Sequence, residues 1–240
     1  MNRGKNNIIY AMVCLGAVLL ALRLRLYIVA LDEKNLIASG HILSVLIWAA
    51  AAVGLVLAAA AARGAKQVGI STAATPVAML GDTLFAIAIG LAVYAMGTPF
   101  TLLEKVFTAA GYLCVPGLLF AAFCRYKGKP VPAWCFGVVC IFFALYLMTC
   151  YRAWSSNPQL QDYVFAMLTC VAVMMFAYQN TAAAVEYGNR RVWLFSGLLA
   201  VCYGIAAIYR AENGWLCGAG AMWALTALLG ETGRTTQEGA

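Results

Sequence analysis

Long apolar stretches follow one another along the whole chain, separated by short polar connections. They cover residues 8–31, 42–62, 76–97, 106–123, 132–150, 163–185, 192–209 and 215–230. Seven of the eight have a length within the range of about 17–25 residues with which a helix crosses the hydrocarbon core of a bilayer. The longest connections, residues 63–75 and 151–162, leave no room for a soluble domain. The pattern predicts an all-α, polytopic integral membrane bundle of about eight transmembrane helices, forming a single domain over residues 1–240.

The composition agrees with this prediction. Of the 240 residues, 64% are apolar and 10% are charged, with a mean hydropathy of +0.85. Soluble domains have about 45–50% apolar and about 25% charged residues. The net charge of +7 comes from basic residues scattered through short connections. That placement encodes membrane topology and does not indicate a nucleic-acid partner. The expected partner is the lipid bilayer, with other membrane proteins or a second copy of the chain as candidates for the Ala/Gly-rich helix faces.

The distribution of the basic residues predicts that the N- and C-termini are both cytoplasmic. With the N-terminus inside, ten Lys and Arg side chains fall in cytoplasmic segments and four in outer connections. Such an excess is what the positive-inside rule requires. Connections this short are typical of a multi-pass protein of a bacterial plasma membrane.

Two features of the span pattern leave alternatives open. The last stretch, residues 215–230, is short and rich in glycine. It either spans a thinned bilayer or is re-entrant. A basic connection lies in the middle of residues 1–125 and another in the middle of residues 126–240, which suggests a possible 4+4 parallel repeat. The alternative is that any eight-span protein obeying the positive-inside rule shows this pattern.

Asp82 lies inside the third apolar stretch. A carboxylate at the centre of a transmembrane helix costs roughly 2.5–3.5 kcal/mol on insertion scales. Ala78, Asp82, Ala86 and Gly90 recur at intervals of four residues. Such a row of small residues forms the face on which a second helix approaches closely. We therefore expect Asp82 to face other helices and to have a partner or a task.

Polar residues near the end of the sixth stretch lie at a depth similar to that of Asp82. They are Tyr178, Gln179 and Asn180. One interpretation makes Asp82 and these three residues a substrate- or proton-binding pocket in the inner half of the bundle. The other makes them interhelical hydrogen bonds that fix the packing.

Two arginines, Arg23 and Arg25, interrupt the first apolar stretch as intramembrane charges. They lie about 200° apart around a helix and cannot share a face. We expect both side chains to snorkel to the outer interface, with Asp32 as a partner for Arg25. Glu186 and Arg190 have the i, i+4 spacing of an ordinary helix-end ion pair.

The sequence predicts neither a metal site nor a cofactor. The cysteines are nine, an odd number, and most lie in apolar stretches, where cysteine acts as a small hydrophobe. The chain has one histidine, His41, which we expect at the outer surface and which leaves no multi-histidine site.

A Leu-Gly-Asp sequence that ends at Asp82 lies in the third of eight predicted spans. In this respect the chain resembles the lysoplasmalogenase-type membrane hydrolases. The resemblance implies an eight-span fold with the N-terminus inside and an activity on lipids. That family pairs the Gly-Asp with a second aspartate and a histidine. Here Cys202 and Tyr203 stand where the aspartate would fall, and residues 106–123 contain no histidine. Only Gly81 and Asp82 match.

Three functions follow as candidates. A small-solute or proton-coupled permease would use Asp82 with Tyr178, Gln179 and Asn180, and is the interpretation we favour. A membrane assembly or regulatory subunit would use the alanine- and glycine-rich faces. A membrane-embedded lipid hydrolase is the enzymatic alternative, and the sequence favours a protein that is not an enzyme.

Overall fold

A computed structural model describes residues 3–29, 42–65, 70, 75–97, 99, 101–154, 163–209 and 214–237. The described residues form eight α-helices. In chain order they are α1 (Arg3–Val29), α2 (Ile42–Gly64), α3 (Pro76–Ala95), α4 (Leu102–Tyr126), α5 (Ala133–Trp154), α6 (Val164–Ala184), α7 (Arg190–Ala207) and α8 (Gly214–Gln237). The all-α, multi-helix prediction is therefore confirmed. His41 and Asp32 lie outside the described residues.

Consecutive helices alternate in direction, so α1 begins and α8 ends at the same end of the bundle. We call this the termini end and the opposite end the distal end. Helices α3 to α6 pack in sequence, each against the next. Helix α8 packs against α3, α6 and α7, and α7 packs in turn against α1 and α2. The core of the molecule therefore lies around α7 and α8, whereas α2 is peripheral.

Helices α1 to α7 are long and apolar enough to cross a membrane by length and composition. Helix α8 is not among these candidates, but it is continuous over 24 residues. Near its start, Gly214 lies against the backbone of Ile208, and near its end Gly230 lies against Thr75. It therefore runs the length of the bundle among its neighbours, and its interior position explains why it needs fewer apolar residues. A re-entrant path is not observed.

Several helices are longer than the apolar stretches that predict them. Helix α4 extends to Tyr126 and includes Arg125, and α7 begins at Arg190. Both arginines are buried. Hydropathy ends a span at the first charged residue, whereas a helix continues as long as its backbone hydrogen bonds can be made.

Small residues bring the inner helices close together. A methyl group at Gly16 of α1 would come within 2.8 Å of the Cys202 carbonyl oxygen of α7. A methyl group at Gly204 of α7 would lie 2.7 Å from Ala221 Cβ of α8. These contacts are the small-residue interfaces typical of membrane helices, and here they form within the chain.

The two halves of the chain pack differently. Helices α6 and α7 pack against each other along much of their length, whereas α2 and α3, which would be their counterparts, share no extended contact within the described residues. The 4+4 repeat stays a prediction without support from this packing.

Candidate functional site

Asp82 is buried where α3, α4 and α8 meet. Its side chain is 1% exposed. The Oδ2 atom lies 2.8 Å from Nε of Arg125, on α4, and forms an ion pair with that guanidinium. The Oδ1 atom accepts a hydrogen bond of 2.8 Å from the indole Nε1 of Trp223, on α8. Each carboxylate oxygen thus has a partner on a different helix.

The end of α4 holds Arg125 in this position. The amide of Lys129 donates to the Cys124 carbonyl at 2.9 Å, and the amide of Gly128 donates to the Arg125 carbonyl at 3.1 Å. Gly128 has a φ of 65°, which is the left-handed conformation that this Schellman ending requires. Arg125 consequently lies in the last turn of α4, where a cation is favoured by the helix dipole.

The glycine that precedes Asp82 lets α8 approach α3. A methyl group at Gly81 would collide with the hydroxyl of Thr226. That hydroxyl donates to the Trp223 carbonyl at 2.8 Å, one turn earlier on α8. With no side chain at position 81, the two backbones come close enough for the Trp223 indole to reach Asp82.

Aromatic rings enclose the ion pair. Phe85 stacks on Trp223 with ring centroids 4.9 Å apart, and Phe176 meets the same indole edge-on at 5.1 Å. The guanidinium carbon of Arg125 lies 5.6 Å from the centroid of Phe136. These four rings are all buried. They exclude water, which strengthens the attraction within the pair and raises the penalty for losing either partner.

A second ion pair, between a buried arginine and a partly buried glutamate, joins α7 and α8 at the termini end. Nη2 of Arg190 lies 2.7 Å from Oε1 of Glu231. The expected pair between Glu186 and Arg190 is therefore wrong. Glu186 lies in the turn before α7 with a φ of 65°, so the two residues do not share a helix.

The amides near the end of α6 do not meet Asp82, and the expected contact is wrong. Gln179 Oε1 accepts from the backbone amide of Asn189 at 2.9 Å. Asn180 Oδ1 accepts from the Trp193 indole at 3.1 Å, while its Nδ2 donates to the Phe176 carbonyl at 2.8 Å. Both side chains fix the connection between α6 and α7. They lie on a face of α6 that turns toward α7.

Tyr178 points away from this site, with 59% of its surface exposed. The row of small residues on α3 faces inward as predicted: Ala78 and Ala86 are buried together with Asp82. Tyr94, one further step along that row, is 80% exposed, whereas its neighbours Ala92 and Val93 are buried. Each step of four residues turns about 40° around a helix, so the row has rotated off the buried face by Tyr94.

The arginines of α1 behave differently from each other. Arg23 is buried, donates from Nη1 to the Ala206 carbonyl in the last turn of α7, and lies over the ring of Phe165 at 5.1 Å. Arg25 is exposed. Snorkelling therefore does not describe Arg23, whose guanidinium binds a carbonyl at a helix C-terminus, where cations are stabilised.

Arg125 and Trp223 are the site residues that sequence reasoning missed. Arg125 follows the fourth apolar stretch closely, so hydropathy assigns it to a cytoplasmic connection, as one of the ten basic residues on that side. Arg125 nevertheless lies at the same depth as Asp82, because α3 and α4 are antiparallel neighbours and each residue is near the termini end of its helix. Trp223 had no local signal, since a tryptophan within an apolar stretch is normally part of the core.

The arrangement offers one carboxylate and one permanent cation, both desolvated. Among the residues that the structure describes, no group of three His, Cys, Asp or Glu side chains could hold a metal ion. The hydroxyl of Tyr203, at the position compared with the hydrolases' second aspartate, donates to the Ala51 carbonyl of α2 at 3.0 Å. It thus takes part in the contact between α2 and α7. The chemistry available at Asp82 is reversible proton uptake and exchange of an ionic partner.

The fold and this site define a multi-pass α-helical membrane protein with a buried carboxylate–guanidinium–indole cluster. No family model, curated protein or solved structure matches the chain.

Proposed function

We propose that the protein is a proton-coupled permease for small solutes that carry a carboxylate, and that the Asp82–Arg125 pair is its proton-dependent latch. The observation that carries the proposal is the 2.8 Å ion pair, buried between three helices inside an apolar bundle. Buried ion pairs add little net stability compared with apolar residues of similar size. An ionisable residue kept inside a membrane bundle is by default a candidate functional site.

Protonation of Asp82 would open this latch. The proton comes from the aqueous phase at the termini end and neutralises the carboxylate, which ends its ionic attraction to Arg125. The neutral acid can still accept the Trp223 hydrogen bond through its carbonyl oxygen. Arg125 is then a desolvated cation without its anion, and a solute carboxylate is the ligand that fits its planar guanidinium.

The same ion pair would couple the movement of the proton to the movement of the solute. While Asp82 is ionised, it occupies Arg125, and α3, α4 and α8 remain joined at the termini end. A solute anion and a proton must therefore enter together. We further propose that the termini end is cytoplasmic and that the membrane is a bacterial plasma membrane, since the basic residues concentrate at that end.

Transport by reconstituted protein tests this proposal. Proteoliposomes that contain a trapped pH-sensitive dye are given an inward gradient of mono- or dicarboxylates, amino acids, or neutral sugars as a control. We expect the wild-type protein to acidify the lumen with at least one carboxylate and with no sugar. A wild-type protein that moves protons with none of the carboxylates would refute the proposal.

The most informative variant is the double substitution Asp82→Asn with Arg125→Gln. It removes both charges at once, so it avoids leaving one of them buried alone. We expect it to fold and to lose all solute-dependent proton movement. Lys127→Gln, an exposed cation at the end of the same helix, is the matched control and should transport normally. Full transport by the double variant would show that the pair is a packing contact.

The subunit and hydrolase alternatives have no comparable observation. The exposed apolar side chains of α2 suit lipid as well as a partner helix. A hydrolase would need a second catalytic group that bonds to Asp82, and the side chains bonded to it are those of Arg125 and Trp223.

A further inference from the structure

An apolar groove opens on the outer surface of the bundle between α2 and α6, with α7 as its floor. Its volume is about 390 Å³. Helices α2 and α6 share no extended contact in the described part of the chain, so the groove separates them between its two ends. Leu55 of α2 and Leu168 and Met175 of α6 are among its walls. Two polar groups also line it: Tyr203 bonds to the Ala51 carbonyl, and Ser196 bonds to the Val192 carbonyl. The groove therefore offers an apolar surface to its occupant.

The two ends of the groove differ. At the distal end the indole of Trp48, on α2, stacks on Phe165 of α6 with centroids 6.0 Å apart and an interplanar angle of 22°. This stack joins the walls and closes the groove. Toward the termini end no such stack is formed between the described residues of the two helices. An occupant must therefore enter from the termini end or from the side, within the plane of the membrane.

Two arginines flank the open end. Arg191, in the first turn of α7, donates from Nε to the Ala65 carbonyl just beyond α2 at 3.3 Å. This bond places its guanidinium at the C-terminus of α2, and Arg191 is exposed. Arg63, in the last turn of α2, is exposed. At a rise of 1.5 Å per residue, Arg63 lies roughly 12 Å beyond Leu55 and Arg191 roughly 7.5 Å beyond Ser196. Both charges thus lie beyond the lining of the groove, toward the termini end.

We propose that the groove binds one acyl chain of an anionic phospholipid from the leaflet at the termini end, and that Arg63 and Arg191 bind its phosphate. A lipid of that leaflet has its charged group at the level of the helix ends and its chain running toward the bilayer centre. The groove likewise has its two arginines toward the termini end and its apolar lining further along the bundle. Two guanidinium groups at its mouth complement a headgroup with a net negative charge. This inference is independent of the transport proposal.

Native mass spectrometry of the full chain tests this assignment. The protein is purified from mixed micelles that contain equal amounts of phosphatidylglycerol and phosphatidylcholine, and the retained lipid is identified by mass. We expect one phosphatidylglycerol per protein. The double variant Arg63→Gln with Arg191→Gln should reduce its retention about tenfold, because charge-assisted bonds to phosphate are lost. Lys129→Gln, an exposed cation at the same end but on the connection between α4 and α5, is the matched control and should have no effect.

A second variant tests the groove itself. Ala52 lines it and is exposed, so Ala52→Trp places a large ring inside. We expect this substitution to abolish retention of both lipids. Retention unaffected by Ala52→Trp would overturn the site, and equal retention of the two lipids by the wild-type protein would overturn the preference for an anionic headgroup. If the Ala52→Trp protein does not fold, the arginine variants still decide, because they leave the groove unchanged.

Discussion

At the scale of single residues, Asp82 and Arg125 lie in a buried region that excludes water. Each side chain is therefore the polar partner that water would otherwise supply to the other. Neither charge could remain alone there, because the cost of an unpaired buried ion exceeds the net gain from the pair. The Trp223 indole adds a hydrogen bond to the second carboxylate oxygen. The three groups therefore depend on one another, and their contributions to stability should not be additive.

The Asp82–Arg125 pair gives the first prediction. Asp82→Asn leaves a buried guanidinium without its anion, and Arg125→Gln leaves a buried carboxylate without its cation. Each should lower the free energy of unfolding by about 3–5 kcal/mol. The double variant should lose far less than the sum of the two, because it contains no unpaired charge. Equilibrium unfolding in mixed micelles measures all three, and additive losses would mean that the two residues do not interact.

The glycine before Asp82 gives the second prediction. Gly81→Ala should destabilise the protein by about 1–3 kcal/mol, because the added methyl group overpacks the contact with Thr226. Gly90→Ala is the control on the same helix, since a methyl group there would meet Val115 Cγ2 at 3.4 Å, an ordinary contact distance. Thermal unfolding of the two variants checks this. Equal losses would show that α8 does not approach α3 through Gly81.

Single residues also show what the sequence can predict. The inward orientation of Asp82 followed from the spacing of small residues, and it is correct. Its partners could not be predicted, because depth alone is shared by many residues and does not say which helix faces which. Arg125 reaches Asp82 through a long side chain from the last turn of α4, whereas hydropathy assigns such an arginine to a connection.

At the scale of helices, charged side chains act on the ends of their neighbours. Arg23 binds a carbonyl in the last turn of α7, and Arg191 binds the carbonyl of Ala65 beyond α2. The last carbonyls of a helix have no partners within it, and a membrane offers little water to satisfy them. These arginines therefore stabilise helix ends. Helix existence was predictable from hydropathy, but these ends were not, because capping groups come from residues distant in sequence.

The third prediction compares the two arginines of α1. Arg23→Met keeps much of the apolar stem but leaves the Ala206 carbonyl without its donor. We expect a loss of about 1.5–3 kcal/mol in the free energy of unfolding, the range for hydrogen bonds to charged groups. Arg25→Met, two residues away and exposed, should change it by less than about 0.5 kcal/mol. A similar loss for both variants would place Arg23 at the interface, as snorkelling would require.

At the scale of the whole molecule, close contacts at glycines decide which helices are neighbours. Helix α8 reaches α3 past Gly81 and α7 past Gly204, and α1 reaches α7 past Gly16. The result is an arrangement in which the last two helices are the most central. Hydropathy predicts the number of helices and their alternation, since each must cross the same apolar layer. It cannot predict which helices are neighbours, because the apolar residues that cover most of each span do not distinguish one neighbouring helix from another.

The orientation in the membrane follows from charge and stays a prediction. Arg125 and Arg190 are buried in ion pairs, so they no longer count as residues of connections. Of the ten basic residues assigned to the termini end, eight remain. The distal end has four in its connections and the exposed Arg25 of α1, which makes five. The termini end still has the larger number of basic residues, so the positive-inside rule still favours a cytoplasmic termini end.

Labelling of single cysteines tests this orientation. Cys14, the exposed native cysteine, is replaced by serine. Each test protein then has one new cysteine, either at the termini end (Tyr187 or Pro130) or at the distal end (Met96). All three positions are exposed and uncharged. In intact cells an impermeant maleimide should label only the Met96→Cys protein. The Tyr187→Cys and Pro130→Cys proteins should react only after permeabilisation. Labelling of these two in intact cells would invert the orientation. Helices α4 and α6 both end at the termini end, so the connections that follow them should lie on the same side of the membrane. Labelling of only one of the two proteins would contradict this arrangement.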